Sequence, residues 1–98
     1  MTEITIVYWR DIPAQVLVGR GRRAVKRVLS ERFEQAIDRA AMASGARDTD
    51  AYLAEWRRVP AQAEGASDAE IAEAAAARLE ADYDAARLKA LIARGGRA

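Results

Sequence analysis

The chain opens with a pattern typical of a strand that is covered on both sides. Residues 3 to 9 carry Ile4, Ile6 and Tyr8 on one side and Thr5, Val7 and Trp9 on the other. This arrangement indicates a strand near the centre of a sheet. Pro13 has no backbone NH and favours extended geometry at Ile12, so the segment 11–13 is predicted to end this strand and turn the chain. A second strand is then predicted from Gln15 to Val18.

Two glycines predict the next turn. Gly19 and Gly21 tolerate positive φ, so the chain can reverse and return as a third strand over residues 23–28. The same segment could begin the next helix instead. We prefer the strand because Ser30 is a good N-cap for a helix that Gly45 would end. The apolar positions at helical spacing are Leu29, Phe33, Ala36, Ile37 and Ala40.

Residues 50–59 fit two patterns. Asp50 could cap a helix containing Leu53, whereas Tyr52, Ala54 and Trp56 also alternate as in a strand. We predict the strand, because the preceding helix must cover a sheet and a fourth strand would widen that sheet. This strand is predicted to end before Pro60, which leaves residues 60–66 as a connector.

The C-terminal part has the clearest helix start, since Ser67 and Glu70 form a capping box. The apolar side chains then change sides of the helix near residues 82–86. Either the helix breaks there and folds back onto the same core, which we prefer, or one long helix presents its distal leucines to a partner. Gly95 and Gly96 end the helix. The distal apolar residues, and candidate interface, are Leu88, Leu91 and Ile92.

These elements predict an α+β fold. We expect a small, largely antiparallel sheet of three or four strands, one helix packed on it and a long C-terminal helix. Residues 1–60 are predicted to form the core domain, and residues 61–98 a connector and a helical extension. A chain of 98 residues is one domain by size.

The absence of histidine and cysteine limits the possible chemistry. It excludes a Ser-His-Asp triad, a Cys-His pair, a disulfide and a zinc site of ordinary ligand type. Asp48 and Asp50 suit a turn or cap better than acid–base catalysis. We therefore predict no metal and no cofactor, and favour a non-catalytic protein. An enzyme would need a cavity where Arg10, Asp11, Tyr52 or Trp56 converge.

The net charge of +1 hides a basic segment. Residues 1–30 contain six basic residues against two acidic ones. We interpret the cluster first as the solvated charges of an edge hairpin, and alternatively as a surface for phosphates or an acidic protein. No apolar run is long enough for a signal peptide or a membrane span, so we expect a cytoplasmic protein. The clustered basic residues are Arg20, Arg22, Arg23, Lys26 and Arg27.

The order of three segments resembles a known family. Residues 6–16, which contain Trp9-Arg10-Asp11-Ile12-Pro13, are followed by residues 31–42 and 50–58. Together they resemble the small bacterial virulence factor family, which is related to a domain of conserved virulence factor C. The resemblance implies an accessory, non-catalytic bacterial domain. Similar short proteins tend to be encoded near folate-dependent and corrinoid-dependent methyl-transfer enzymes, which implies a helper role in that chemistry.

We therefore expect an accessory protein that binds another protein, and the resemblance implies a methyl-transfer enzyme or a corrinoid protein as that partner. Its candidate contact surfaces are the turn of Trp9, Arg10 and Asp11 with the basic hairpin, and the leucine side of the last helix. The alternative is a nucleic-acid-binding module that uses the basic hairpin, with phosphate neutralisation and base stacking on Tyr8 and Trp9.

Overall fold

The residues that the structure describes form a four-stranded antiparallel sheet and four helices. The computed structural model describes residues 2–19, 21–46 and 48–98. The predicted α+β class is confirmed, and the strands lie in the order β3-β2-β1-β4. The elements are β1 (Thr2–Trp9), β2 (Ile12–Val18), a 3-10 turn (Gly21–Arg23), β3 (Val25–Val28), α1 (Glu31–Ser44), α2 (Thr49–Ala54), β4 (Trp56–Ala63), α3 (Asp68–Asp82) and α4 (Ala85–Ala93).

Strand β1 is central, as its two-sided apolar pattern predicts. It pairs with β2 on one side and with β4 on the other, so it is an inner strand of the sheet. Helix α3 packs across β2 and β3, and α1 packs against β2 and α4. The sheet is therefore covered by α3 as well as by α1, which the sequence pattern did not indicate.

The first turn is shorter than predicted. Arg10 and Asp11 connect the strands, and Ile12 and Pro13 already belong to β2. The missing NH of Pro13 is tolerated because the pairing is irregular there: Tyr8 lies opposite Pro13 and Val7 opposite Gln15, so Ala14 is the extra residue of a bulge. Arg10 adopts a left-handed backbone with a φ of 54°.

Residues 50–59 form the end of a helix followed by the start of a strand. The predicted strand is wrong for residues 50–54, which form α2; Asp48, rather than Asp50, caps this helix by accepting a hydrogen bond from the Ala51 amide at 2.9 Å. Strand β4 then begins at Trp56 and continues through Pro60, so residues 60–63 are strand and not connector. Pro60 is accommodated because β4 is an edge strand, where a missing NH need not interrupt the sheet.

The C-terminal chain folds back, which is the preferred of the two predicted arrangements. Ser67 caps α3 by accepting from the Glu70 amide at 3.2 Å, as the capping box predicts. Helix α3 ends at Asp82, and Asp84 caps α4 by accepting from the Arg87 amide at 2.8 Å. The long C-terminal helix is thus two helices. Leu88 and Leu91 share one hydrophobic cluster with Trp9 and Phe33, so residues on both sides of position 60 build the same core.

Ser30 lies at the predicted N-cap of α1, yet its side chain forms no cap hydrogen bond. Its amide and hydroxyl donate instead to the Glu80 carboxylate of α3, at 2.7 and 2.8 Å. Arg32 donates to the same carboxylate at 3.0 Å. Burial alone would raise the pKa of Glu80, but the hydrogen bonds from Ser30 and Arg32 outweigh it and lower the pKa. The ionised carboxylate therefore joins α3 to the start of α1.

Replacing Leu91 with alanine tests whether α4 is part of the core. Leu91 is 5% exposed, so Leu91→Ala should lower the free energy of unfolding by about 2–5 kcal/mol in urea denaturation. Met42→Ala, at a position that is 63% exposed, is the control and should change it by less than about 1 kcal/mol. Equal effects of the two substitutions would contradict the packing of α4.

The Glu80 contact predicts a pH-dependent stability. A carboxylate whose pKa is lowered by folding stabilises the protein above its unfolded pKa and loses that effect as the pH falls through its folded pKa. Glu80→Gln should therefore reduce stability near neutral pH and much less under acidic conditions. Urea denaturation across the acid range measures this, with Glu64→Gln as the control. A Glu80→Gln effect that does not shrink on acidification would contradict it.

Candidate functional site

The turn between β1 and β2 places Trp9 inside the protein. Its side chain is fully buried, and its indole NH donates to the Tyr52 carbonyl at 2.9 Å. The indole ring stacks on Tyr52 with 5.8 Å between the centroids. Gly96 also packs against the indole, and a Cβ on Gly96 would lie only 3.0 Å from a carbon of the indole ring. The indole is therefore a core side chain and cannot stack on a nucleic-acid base.

Arg10 connects three distant parts of the chain. Its Nη1 donates to the Gly95 carbonyl at 2.8 Å, and its Nη2 lies 3.4 Å from a carboxylate oxygen of Glu55. The guanidinium also stacks over Trp9, 4.9 Å from the ring centroid. Only 12% of the Arg10 side chain is exposed. Its charge is used within the protein, so Arg10 is a structural residue in this fold.

Asp11 fastens the C-terminal segment to the same turn. Its amide donates to the Gly96 carbonyl at 2.8 Å, and its carboxylate accepts from the Ala98 amide at 2.7 Å. Arg57 donates to the other Asp11 carboxylate oxygen at 2.9 Å. We call the contact of residues 9–11 with residues 95–98 the turn–terminus contact. Trp9, Arg10 and Asp11, the three residues of the candidate turn surface, thus all make contacts within the protein.

The candidate interface on the last helix also faces inward. Leu88 and Leu91 are buried in the core, and Ile92 is half-buried against it. Their apolar surface is covered by the protein's own sheet and helices. These side chains stabilise the fold-back of α4.

The basic residues do not form one surface with the turn of Arg10. Arg20 lies outside the described residues, and Arg22 and Arg23 are exposed in the 3-10 turn at the opposite end of β2. Lys26 and Arg27 are exposed on β3, but they lie on opposite faces of the sheet. Arg27 points towards α3, where it forms an ion pair with Glu73.

Lys26 belongs to the sheet face opposite α3. Directly paired residues of antiparallel strands share a face, and the pairs Leu17–Lys26, Thr5–Leu17 and Val7–Arg58 extend this face across all four strands. Most of its side chains are half-buried or exposed, and Val28 is 63% exposed. We call this surface the open face. Its residues are Thr5, Val7, Gln15, Leu17, Lys26, Val28, Arg58 and Pro60.

Arg58 is the residue of this surface that the sequence pattern missed as a site. Its position depends on the pairing of Val7 with Arg58, and therefore on a β4 register that begins at Trp56. The adjacent arginines Arg57 and Arg58 are apparent in the sequence as a candidate basic surface. However, Arg57 points to the helix-covered side and donates to the Arg10 carbonyl at 2.9 Å. The two neighbours thus have different roles.

Comparison with known protein families supplies the identification. The family model described as "Virulence factor" matches residues 7–92, which is most of the chain. The chain belongs to the virulence factor family. No match is found among curated proteins or among solved structures. The matched region runs from the last three residues of β1 into α4, so it includes β2, β3, β4, α3 and nearly all of α4.

The residues considered for catalysis do not all line one cavity. Asp11 lines one depression, whereas Tyr52 and Trp56 line another. Burial and then the Asp38 carboxylate raise the pKa of Tyr52, so this phenol stays protonated near neutral pH. Within the described ranges, no group of three or more acidic, histidine or cysteine side chains is placed to bind a metal. None of the described helices is both long and apolar enough to cross a membrane.

The turn–terminus contact predicts a stability effect for Arg10→Ala. Alanine would keep the unfavourable positive φ, so the change mainly removes side-chain contacts. We expect the free energy of unfolding to fall by about 1–3 kcal/mol in urea denaturation. Arg39→Ala, which removes an exposed arginine of α1, should have little effect. If Arg10→Ala costs no more than Arg39→Ala, the contact does not stabilise the fold.

Proposed function

We propose that this protein is a non-catalytic accessory protein that binds an acidic partner protein through the open face. The observation that supports this most directly is a sheet with one face covered by helices and the other left with apolar and basic side chains at its surface. Lys26 and Arg58 lie on this face, and Arg22 and Arg23 are exposed beside it.

The composition of the open face suits a protein partner. Leu17 is half-buried and Val28 is 63% exposed, so both offer apolar area, and Lys26 and Arg58 lie on the same face. Specific interfaces commonly combine an apolar centre with a polar rim, and complementary charge speeds association. The fitting partner surface therefore carries apolar side chains flanked by aspartates or glutamates.

The aromatic residues favour a protein over a nucleic acid. Single-stranded nucleic acids bind on exposed aromatic rings together with a basic groove. Trp9 is fully buried, and Trp56 is half-buried with its ring packed edge-on against Tyr52, 5.9 Å between the centroids. The open face thus carries the basic groups that phosphates need, but it does not present the predicted stacking pair, because Trp9 is buried and Tyr8 lies on the opposite face.

The family resemblance supplies the partner class within this proposal. Short proteins of this kind tend to be encoded near folate-dependent and corrinoid-dependent methyl-transfer enzymes, so we propose a methyl-transfer enzyme or its corrinoid protein as the partner. The proposed location is the cytoplasm, which agrees with a chain that contains no cysteine.

The test measures the affinity of the protein for the methyltransferase and for the corrinoid protein of its native host by calorimetry. Lys26→Glu with Arg58→Glu should weaken binding by about tenfold or more, because it reverses two charges on the open face. Val28→Ser should also weaken it, because it removes apolar contact without changing charge. Arg39→Glu with Lys89→Glu makes the same charge change on exposed helix positions and should leave the affinity unchanged.

Each part of this proposal has its own contradicting result. Binding to neither candidate protein would reject the methyl-transfer partner class. Binding that both sets of open-face variants leave unchanged would reject the open face as the interface. Binding to DNA or RNA that falls steeply with salt and ignores Val28→Ser would support the nucleic-acid alternative instead.

A further inference from the structure

A cleft on the helix-covered side of the sheet is lined by an unusual number of arginines. It lies between the ends of β1 and β4 and helix α4, and it has a volume of about 490 Å³. Among the described residues, its charged side chains are one aspartate and four arginines. They are Asp11, Arg57, Arg87, Arg94 and Arg97.

The arginines of the cleft are only partly neutralised. The single aspartate, Asp11, is bound to Arg57, and Arg97 lies 3.4 Å from a carboxylate oxygen of Glu55. Across the described ranges, Arg87 and Arg94 form no ion pair with a side-chain carboxylate. Both are exposed, so their guanidinium groups can reach a bound anion. The cleft therefore has an excess of positive charge.

Two tyrosine rings position two of these arginines. The guanidinium of Arg87 stacks on the Tyr83 ring at 3.9 Å, and that of Arg57 stacks on the Tyr8 ring at 4.9 Å. Stacked guanidinium groups keep their hydrogen-bond donors directed outward around the ring plane. Burial, followed by the neighbouring Tyr83, raises the pKa of Tyr8, so its hydroxyl remains a donor.

Part of the remaining wall of the cleft is apolar. Val59 of β4 and Ala90 and Leu91 of α4 line it beside the tyrosine rings. Concave sites that combine an apolar wall with a few charged donors are typical of small-molecule sites. An inorganic anion would contact only the arginines, whereas an organic anion would contact both the arginines and the apolar wall.

We propose that this cleft binds a small organic anion, with its phosphate or carboxylate group held by Arg87 and Arg94 and its apolar part against Val59 and Ala90. This site lies on the side of the sheet opposite the open face. It therefore does not depend on the partner-binding proposal, and either can fail without the other.

The probes are phenyl phosphate, 3-phenylpropionate and inorganic phosphate, titrated into the full chain by calorimetry and by NMR. Phenyl phosphate should bind saturably and more tightly than inorganic phosphate, because its ring covers apolar wall. The comparison with 3-phenylpropionate shows whether the site prefers a phosphate or a carboxylate. NMR shifts should concentrate on the residues around Tyr8, Tyr83 and α4.

Two variants locate the site. Arg87→Gln with Arg94→Gln should weaken phenyl phosphate binding by about tenfold or more, because two charge-assisted contacts are lost. Arg39→Gln with Arg78→Gln removes the same charge from exposed positions outside the cleft and should leave the affinity unchanged. Unchanged unfolding curves of the cleft variant would show that it is folded.

Three results would overturn the proposal. The first is the absence of saturable binding of any of the three probes at low salt. The second is an equal loss of affinity in the cleft variant and its control, which would indicate general charge attraction. The third is NMR shifts that concentrate on the open face.

Discussion

The fold depends on the contact between the first turn and the C-terminal segment. Arg10 reaches a carbonyl that lies 85 positions away in the sequence, and Gly96 lies against the buried indole of Trp9. Gly96 has a φ of 89°, and a Cβ there would come within 3.0 Å of the indole, so both its backbone and its lack of a side chain suit this contact. The contact also accounts for the positive φ of Arg10, since its guanidinium stabilises a conformation that arginine rarely adopts.

This contact positions the end of α4 beside the first turn. By holding the end of α4 beside the turn, it keeps Leu88 and Leu91 in the core while α3 lies over β2 and β3. On the opposite face, Lys26 and Arg58 remain at the surface. The proposed interface and the proposed anion cleft are thus two consequences of one packing arrangement. One lies on the open face and the other beside α4.

Local patterns predicted the elements better than their boundaries or their partners. The two-sided apolar pattern of β1 identified a central strand, and Ser67 with Glu70 identified the start of α3. The first turn could not be located in this way, because Pro13 is compatible with a turn or with a bulged strand. The arrangement in the structure depends on tertiary contacts of Arg10. Likewise, Pro60 suggested a strand end until β4 proved to be an edge strand.

The candidate site shows the same limit. Sequence reasoning found Lys26, but the role of Arg58 follows only from its pairing with Val7. It also grouped Trp9 with the basic residues, whereas the indole is buried at the other end of the sheet from Arg22. Residue type indicated which side chains could bind a partner. Burial and strand register, which depend on the whole fold, decided which of them are accessible.

Hydrogen exchange of the Asp11 amide measures the turn–terminus contact most directly. This amide donates to the Gly96 carbonyl at 2.8 Å and lies in a short turn, where an unbonded amide would exchange rapidly. If the contact closes the fold, the Asp11 amide should exchange as slowly as the amides of the central strand β1, by opening of the whole protein. Exchange near the rate of an unstructured peptide would show that the C-terminal segment opens independently, and would contradict this account of the fold.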